Sequence, residues 1–526
     1  MPAFRSYVKH VFGGGWATDF GPSAPVVPDQ TGTVIIPFLT NAENVLYELD
    51  GGPRKSPGTT NVNATALNSG AIVRGLYDFW RMGTVGSPTQ KRIAVAGDSV
   101  YADSADGIFS SLASGKATTA VWQFSTFDDF LIIANDAVAD VPMSYDGTTF
   151  QSLAGSPPNF AFSVKHQNYQ FAAGVAAAPS LLYYSNSLNP ESWTGGTSGS
   201  ISIDPDDGDR ITAIISHKNE LWVFKGPHKG SIHRITGTSS STWARETFIE
   251  GVGCVGPNAV FRYGDDLGFM WSDGSIRTLS STAAFGDMIE SALTFPINSW
   301  LLDHLTFNQL KRVSVVNDPG SGRAYAALPI NSSVTPNAIL VLDYRFAPAR
   351  LSLLNAYSAV SMAAGLDPGN QLKPILLFGG SDGIVRRAGQ PTRTVNSTAI
   401  TYYVTTPAFD YGAPQQMKTL DAASVGIYPR NNASFTFGWT RDENAEQTAS
   451  VSQGGTAVLG TASANQFTLN TSTLGGASFV NKWFQTEEGG EFRSISFKLQ
   501  DANNNVDLEV HTIGAFIEPG AESHEN

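Results

Sequence analysis

The sequence holds a single cysteine, Cys254, in 526 residues. No intrachain disulfide can form, so stability has to come from burial and assembly. Charge is scarce at 15% of residues, well under the roughly 25% of ordinary globular proteins. That shortage removes the usual residues of solvated helix faces. No run of Lys or Arg is longer than a pair such as Arg386-Arg387, which excludes the basic patch that a tight nucleic-acid binder needs. No stretch reaches the ~18 apolar residues of a membrane helix. Met1 to Gly15 lacks an apolar core with a small-residue cleavage site and reads as no secretory signal.

Catalytic and metal patterns are thin as well. The eight histidines do not cluster. His228 and His233 flank Gly230, but no further ligands stand at metal-binding spacing. His166, His217 and His304 read as loop or packing residues. No Gly-x-Ser-x-Gly elbow sits between a strand and a helix. Gly13-Gly14-Gly15 lacks the Gly-Lys-Ser/Thr ending of a phosphate loop and reads as a close backbone approach or a flexible turn. Cys254 reads as a small buried apolar residue. These observations predict no enzyme, no catalytic residue, no cofactor and no metal.

What is present is a turn. Four stretches carry Asp-Gly one or two residues after a serine, beside apolar residues: Ser104-Ala105-Asp106-Gly107, Ser144-Tyr145-Asp146-Gly147, Ser272-Asp273-Gly274 after Trp271, and Ser381-Asp382-Gly383 after Gly380. Asp-Gly between apolar runs is a hairpin signal, and a type I′ turn is expected, with positive φ at both central residues. The aspartates stand 40, 127 and 109 residues apart. At roughly 40–50 residues per propeller blade these gaps fit one, three and two or more blades. Short apolar runs such as Phe130–Ala134, Leu221–Phe224, Ile339–Leu342 and Ile375–Phe378 each end near Gly, Asn or Asp, as strands and turns do.

The expected fold is therefore all-β: a β-propeller with a C-terminal antiparallel β-sandwich-like domain and a short helical insertion. The insertion is expected within Ile289–Arg312, where turn residues are few. Residues 1–44 read as an N-terminal arm and 45–390 as the propeller, with seven or eight blades. Residues 391–518 read as the β-domain, because strands such as Ser434–Trp439 alternate apolar and polar residues. Residues 519–526 read as a disordered tail. The densest acidic cluster is Asp204-Pro205-Asp206-Asp207-Gly208-Asp209, and it reads as a solvated turn, or as a negative ring or a cation site in an oligomer.

One ordered series carries more. Leu182-Tyr183-Tyr184-Ser185-Asn186-Ser187-Leu188-Asn189-Pro190-Glu191-Ser192-Trp193 is followed by Ile201-Ser202-Ile203, the acidic loop and Ile211–Ile214. Next come Leu221–Lys225, Ile232–Gly237, Gly251-Val252-Gly253-Cys254-Val255-Gly256-Pro257 and Phe269–Gly274. From Tyr183 to Leu279 this order resembles the β-propeller nozzle, hub or tail tubular proteins of short-tailed bacteriophages, as does the opening Phe12-Gly13-Gly14-Gly15. The resemblance implies a structural virion protein, assembled in the host cytoplasm as a ring of six copies at the distal end of a tail. Its partners would be further copies of itself, a tail adaptor above, and fibres or spikes. Genomic DNA would pass through without specific binding, and no part would insert into a membrane. Within that ring, Asp204, Asp206, Asp207 and Asp209 are candidates for an acidic lumen lining. A net charge of −13 per chain would repel phosphate there. The competing class is a glycan-binding or glycan-cleaving propeller, either sialidase-like or a lectin, which would use a carboxylate pair or an aromatic shelf drawn from the 10 Trp and 16 Tyr.

Overall fold

The computed structural model describes residues 6–21, 23–24, 29, 32–82, 88–105, 107–318, 320–428, 433–442, 444–453, 480–485, 490–504 and 506–519. The chain divides into two compact units: residues 60–340 with 357–388, and residues 1–59 with 341–356 and 389–526.

The first unit is a seven-bladed β-propeller. The inner strands are Val73–Arg81, Trp122–Phe127, Phe162–His166, Arg210–His217, Val260–Tyr263, Ser314–Asp318 and Ser361–Asp367. Each packs against the next in chain order, and Ser361–Asp367 packs against Val73–Arg81, closing the ring. Blades one to four are four-stranded antiparallel meanders, and blade five has three strands. The second strands of blades three and four, Tyr169–Ala173 and Glu220–Gly226, are buried almost throughout. A blade's middle strands are covered on both faces by its neighbours, which explains why the sequence shows them as near-continuous apolar runs. Short helices follow blade five: α1 (Leu279–Phe285), α2 (Asn298–His304) and single turns of 3₁₀ helix between and after them. The insertion is thus real, and it begins at Leu279, ten residues before the expected Ile289.

The Asp-Gly turns lie in blades one, two, five and seven, so the gaps are one, three and two blades. Their geometry differs from the expected type I′. Gly147, Gly274 and Gly383 have φ of 90°, 85° and 75°, while Asp146, Asp273 and Asp382 are not among the residues with positive φ. Asp106 lies outside the described residues. The aspartates instead fold their side chains back. Asp146 accepts from the Thr148 N–H at 2.8 Å, Asp273 from the Ser275 N–H at 2.8 Å and Asp382 from the Ile384 N–H at 3.3 Å. These are Asx turns. Two of them also hold an arginine four residues on, Asp273 with Arg277 and Asp382 with Arg386.

Blade seven is completed from the other end of the sequence. The Val62 N–H donates to the Val385 carbonyl at 2.8 Å. Asn63, 2% exposed, takes the Val385 N–H on Oδ1 at 2.7 Å. Its Nδ2 donates to the carbonyls of Gly383 at 3.0 Å and Thr65 at 2.8 Å.

The second unit is a β-sandwich. One sheet runs Thr33–Ile36, Ser6–Phe12, Val510–Pro519, Lys418–Ile427, Val480–Gln485. The other contains Ala408–Phe409, Ile495–Asp501, Tyr402–Thr405, Asn41–Glu43 and Arg350–Leu354, with Ala433–Arg441 beside Ile495–Asp501. His10, on the first sheet, lies 4.9 Å from the Phe409 ring and 5.5 Å from the Phe497 ring of the second.

The expected boundaries shift accordingly. Residues 1–44 are not a separate arm, because Ser6–Phe12 pairs with both Val510–Pro519 and Thr33–Ile36. The propeller begins at residue 60 rather than 45, and residues 341–356 belong to the sandwich unit. An N-terminal strand and an internal segment cannot be assigned to a late domain from local pattern, since their partners are hundreds of residues away. Of the expected tail 519–526, only Pro519 is described.

Closure through Asn63 is testable. Replacing Asn63 with Ala strands the buried Val385 N–H, and an unsatisfied buried group costs about 1–3 kcal/mol. We expect Asn63→Ala to lower the unfolding free energy by that amount, read as a lower urea midpoint with the m-value unchanged. A midpoint equal to wild type would remove Asn63 from ring closure.

Candidate functional site

The acidic loop 204–209 joins the outer strand of blade three, Gly199–Ser202, to the inner strand of blade four, Arg210–His217. It is not a uniform solvated turn. Lys225, fully buried on the second strand of blade four, reaches under the loop. Its ammonium donates to Asp207 Oδ1 at 2.7 Å and to the carbonyls of Asp204 at 2.6 Å and Ile203 at 2.9 Å. Asp209, 5% exposed, accepts the N–H groups of His228, Lys229 and Gly230 at 2.9, 2.8 and 2.7 Å. Asp204 pairs with Arg245. Burial works to raise its carboxyl, but the hydrogen bond and charge of Arg245 outweigh this and hold it below the usual carboxylate range. Of the four lining candidates, Asp206 alone is exposed without an ion pair or side-chain hydrogen bond among the described residues. The sequence reading missed this because the partner of Asp207 lies two strands away, inside the apolar run Leu221-Trp222-Val223-Phe224-Lys225. A lysine closing such a run was the available signal.

The Gly251–Pro257 segment packs against the same blade. A side chain at Gly253 would sit 1.7 Å from the Lys225 carbonyl oxygen, so only glycine fits. Cys254 is fully buried, and desolvation pushes its thiol up to about 12, in line with a packing residue.

The histidines stand apart in role. His228 is exposed while His233 is buried, bonded to Ser231 Oγ at 2.9 Å. His166 is bonded to Ser216 Oγ at 2.9 Å, His217 meets the Asp265 carbonyl at 3.3 Å, and His304 stacks on Trp300 at 4.4 Å. Among the described residues no group of three His, Cys, Asp or Glu could hold a metal ion. Burial lowers His166 and His233 from 6.5 to about 4.

The aromatic residues are mostly core. Trp16, Trp122, Trp193, Trp222, Trp271 and Trp439 are buried. Tyr184 and Trp193, both in the ordered series, pack on Trp243 at 4.5 Å and Phe160 at 5.3 Å.

Two cavities open where the inner strands begin. One, of about 60 Å³, is lined by residues including Arg74, Leu76, Trp122, Phe124, Arg312 and Met362. Its described lining holds no carboxylate. The other, of about 340 Å³, includes Arg210, Lys311 and Asp136, and Lys311 pairs with Asp136 at 2.8 Å.

No family model and no curated protein matches the sequence. Among solved structures, the chain is similar to YCF48 bound to a D1 peptide, at 9% identity over 65% of this chain and 97% of that one, TM-score 0.37. It is similar to the Cps50 (Swd1) β-propeller of Myceliophteria thermophila, at 12% identity over 63% and 99%, TM-score 0.38. It also resembles an exo-β-1,3-galactanase of Phanerochaete chrysosporium, at 9% identity over 96% and 100%, TM-score 0.26. Scores this low carry no argument about function.

Two outcomes follow from the loop and the histidines. Asp209→Ala strands three N–H groups and should cost about 2–4 kcal/mol, whereas Asp206→Ala should stay within about 0.5 kcal/mol of wild type. Equal effects in urea unfolding would contradict the distinction. His166 and His233 take up protons near pH 6.5 when unfolded but only near 4 when folded. The stability tied to their neutral forms is full above pH 6.5 and is lost as pH falls toward 4. His166→Gln and His233→Gln should flatten the fall of the urea midpoint across that window, and a slope identical to wild type would refute the assignment.

Proposed function

We propose that this chain is a structural virion protein, a subunit of the nozzle or hub ring at the distal end of a bacteriophage tail. The observation that carries the reading is the ordered series from Tyr183 to Leu279. That series is an unbroken run of propeller, from the third strand of blade three, through blades four and five, to the first residue of α1. Several of its residues have specific structural duties: Tyr184 and Trp193 in the core, Lys225 beneath the acidic loop, Gly253 at a close approach. A series of that kind is what two propellers built on one plan would share.

The ring would hold six copies and continue the channel below an adaptor. It would present its outer surface to fibres or spikes and let DNA pass without gripping it. The net charge of −13 per chain suits a wall that repels phosphate. In the lumen the acidic loop would act through Asp206, because Asp204, Asp207 and Asp209 are already engaged within the blade. Reversing the charge of the whole loop would therefore disrupt blade four rather than probe a channel. The glycan-cleaving alternative wants two carboxylates facing each other across a pocket. The linings of the two propeller cavities offer one, Asp136, and it is paired with Lys311; a further cavity in the sandwich unit has Asp442 alone.

The test is negative-stain microscopy of the purified chain and of tail particles labelled with antibody against it. We expect closed rings of six copies and label at the distal tail end. A twofold dimer as the sole assembly, or label absent from the tail, would overturn the reading.

A further inference from the structure

In a chain short of charge, cations gather where the inner strands begin: Arg74 on blade one, Arg210 on blade four, and Lys311 and Arg312 just before blade six. Lys311 has Asp136. Arg74 and Arg312 share the smaller cavity, and neither has a carboxylate partner among the described residues. Arg312 donates from Nε to the neutral Gln309 Oε1 at 2.9 Å. Burial, and then the neighbouring Arg312 charge, push the Arg74 guanidinium below its ordinary value. Two like charges half out of water are costly unless something compensates them.

The rest of the lining is uncharged. Trp122, 1% exposed, lines the same cavity, and its indole N–H is buried with no acceptor. The wall is mixed: Asn258, Ser314 and Ser361 stand beside Leu76, Phe124, Val360 and Met362. Arg74 and Arg312 are both half-buried, and partial exclusion of water strengthens charge–charge attraction between them and a bound anion.

We propose that this cavity is a binding site for an oxyanion, a phosphate or carboxylate group, received between the guanidiniums of Arg74 and Arg312. Guanidinium forks match the paired oxygens of both groups. The bound anion would supply the countercharge that the fold omits, and a volume of about 60 Å³ suits a small oxyanion with little behind it. The site belongs to the single propeller and does not depend on the tail reading, so the two can fail separately.

The test is thermal unfolding and calorimetry of the full chain, titrated with inorganic phosphate or with succinate against chloride at constant ionic strength. A saturable rise in Tm with phosphate or succinate supports the site, and the stronger of the two identifies the source of the oxyanion. Arg74→Gln and Arg312→Gln should each weaken binding by roughly tenfold or more, the loss of a charge-assisted bond. Because each variant also relieves the repulsion, its anion-free Tm should equal or exceed that of wild type. Arg210→Gln, in the neighbouring cavity, should leave the affinity unchanged. The proposal is overturned if neither anion gives a saturable shift, or if the Arg74 and Arg312 variants bind as wild type does. It is also overturned if both variants melt lower without anion, which would make the arginines packing residues, or if only Arg210→Gln abolishes binding.

Discussion

Closure of the ring is the constraint on which the propeller depends. A blade alone exposes two apolar faces, and a row of blades still leaves one at each end. Here Ser361–Asp367 must lie against Val73–Arg81, and the chain fastens that junction with residues from before blade one. Val62 and Asn63 hold blade seven by the backbone of Gly383 and Val385. The buried second strands, the glycine at 253 and the apolar contacts between blades all presuppose that no blade has a free side.

Scarcity of charge takes on a meaning in that setting. The carboxylates of this chain serve largely as fasteners. Asp273 and Asp382 tie their turns and an arginine each, Asp209 ties a loop of three N–H groups, and Lys225 holds Asp207. In the sandwich unit Lys55 and Asp501, both fully buried, meet at 2.5 Å. Such pairs fix geometry more than they add stability, since desolvation offsets much of their attraction. Against this background of satisfied charge, Arg74 and Arg312 stand out.

The propeller was legible because its signals are local. Asp-Gly turns and short apolar runs recur at blade spacing, and the gaps between the turns counted blades correctly. The type of turn was not legible, since an Asx turn and a type I′ turn use the same two residues and differ in the φ of the aspartate. The role of the acidic loop was hidden for another reason. Four aspartates in six residues look alike until Lys225, the N–H groups of the 228–230 turn and Arg245 are brought to three of them by pairing across blade four. The axial cavity was equally invisible, because Arg74, Trp122 and Arg312 come from three blades and share no motif. The sandwich misled at its edges, where Ser6–Phe12 finds its partner some five hundred residues on.

The clasp at Asn63 also sets a schedule. Asn63 and Val385 are 322 residues apart. At a synthesis rate of about 5–20 residues per second, Asn63 leaves the ribosome roughly 16–64 s before Val385 exists. Through that interval blade one presents an uncovered flank, and every later blade adds to a growing open arc. The chain can finish its propeller only once Val385 has been made, so the blades formed before it depend on protected edges to remain single until then.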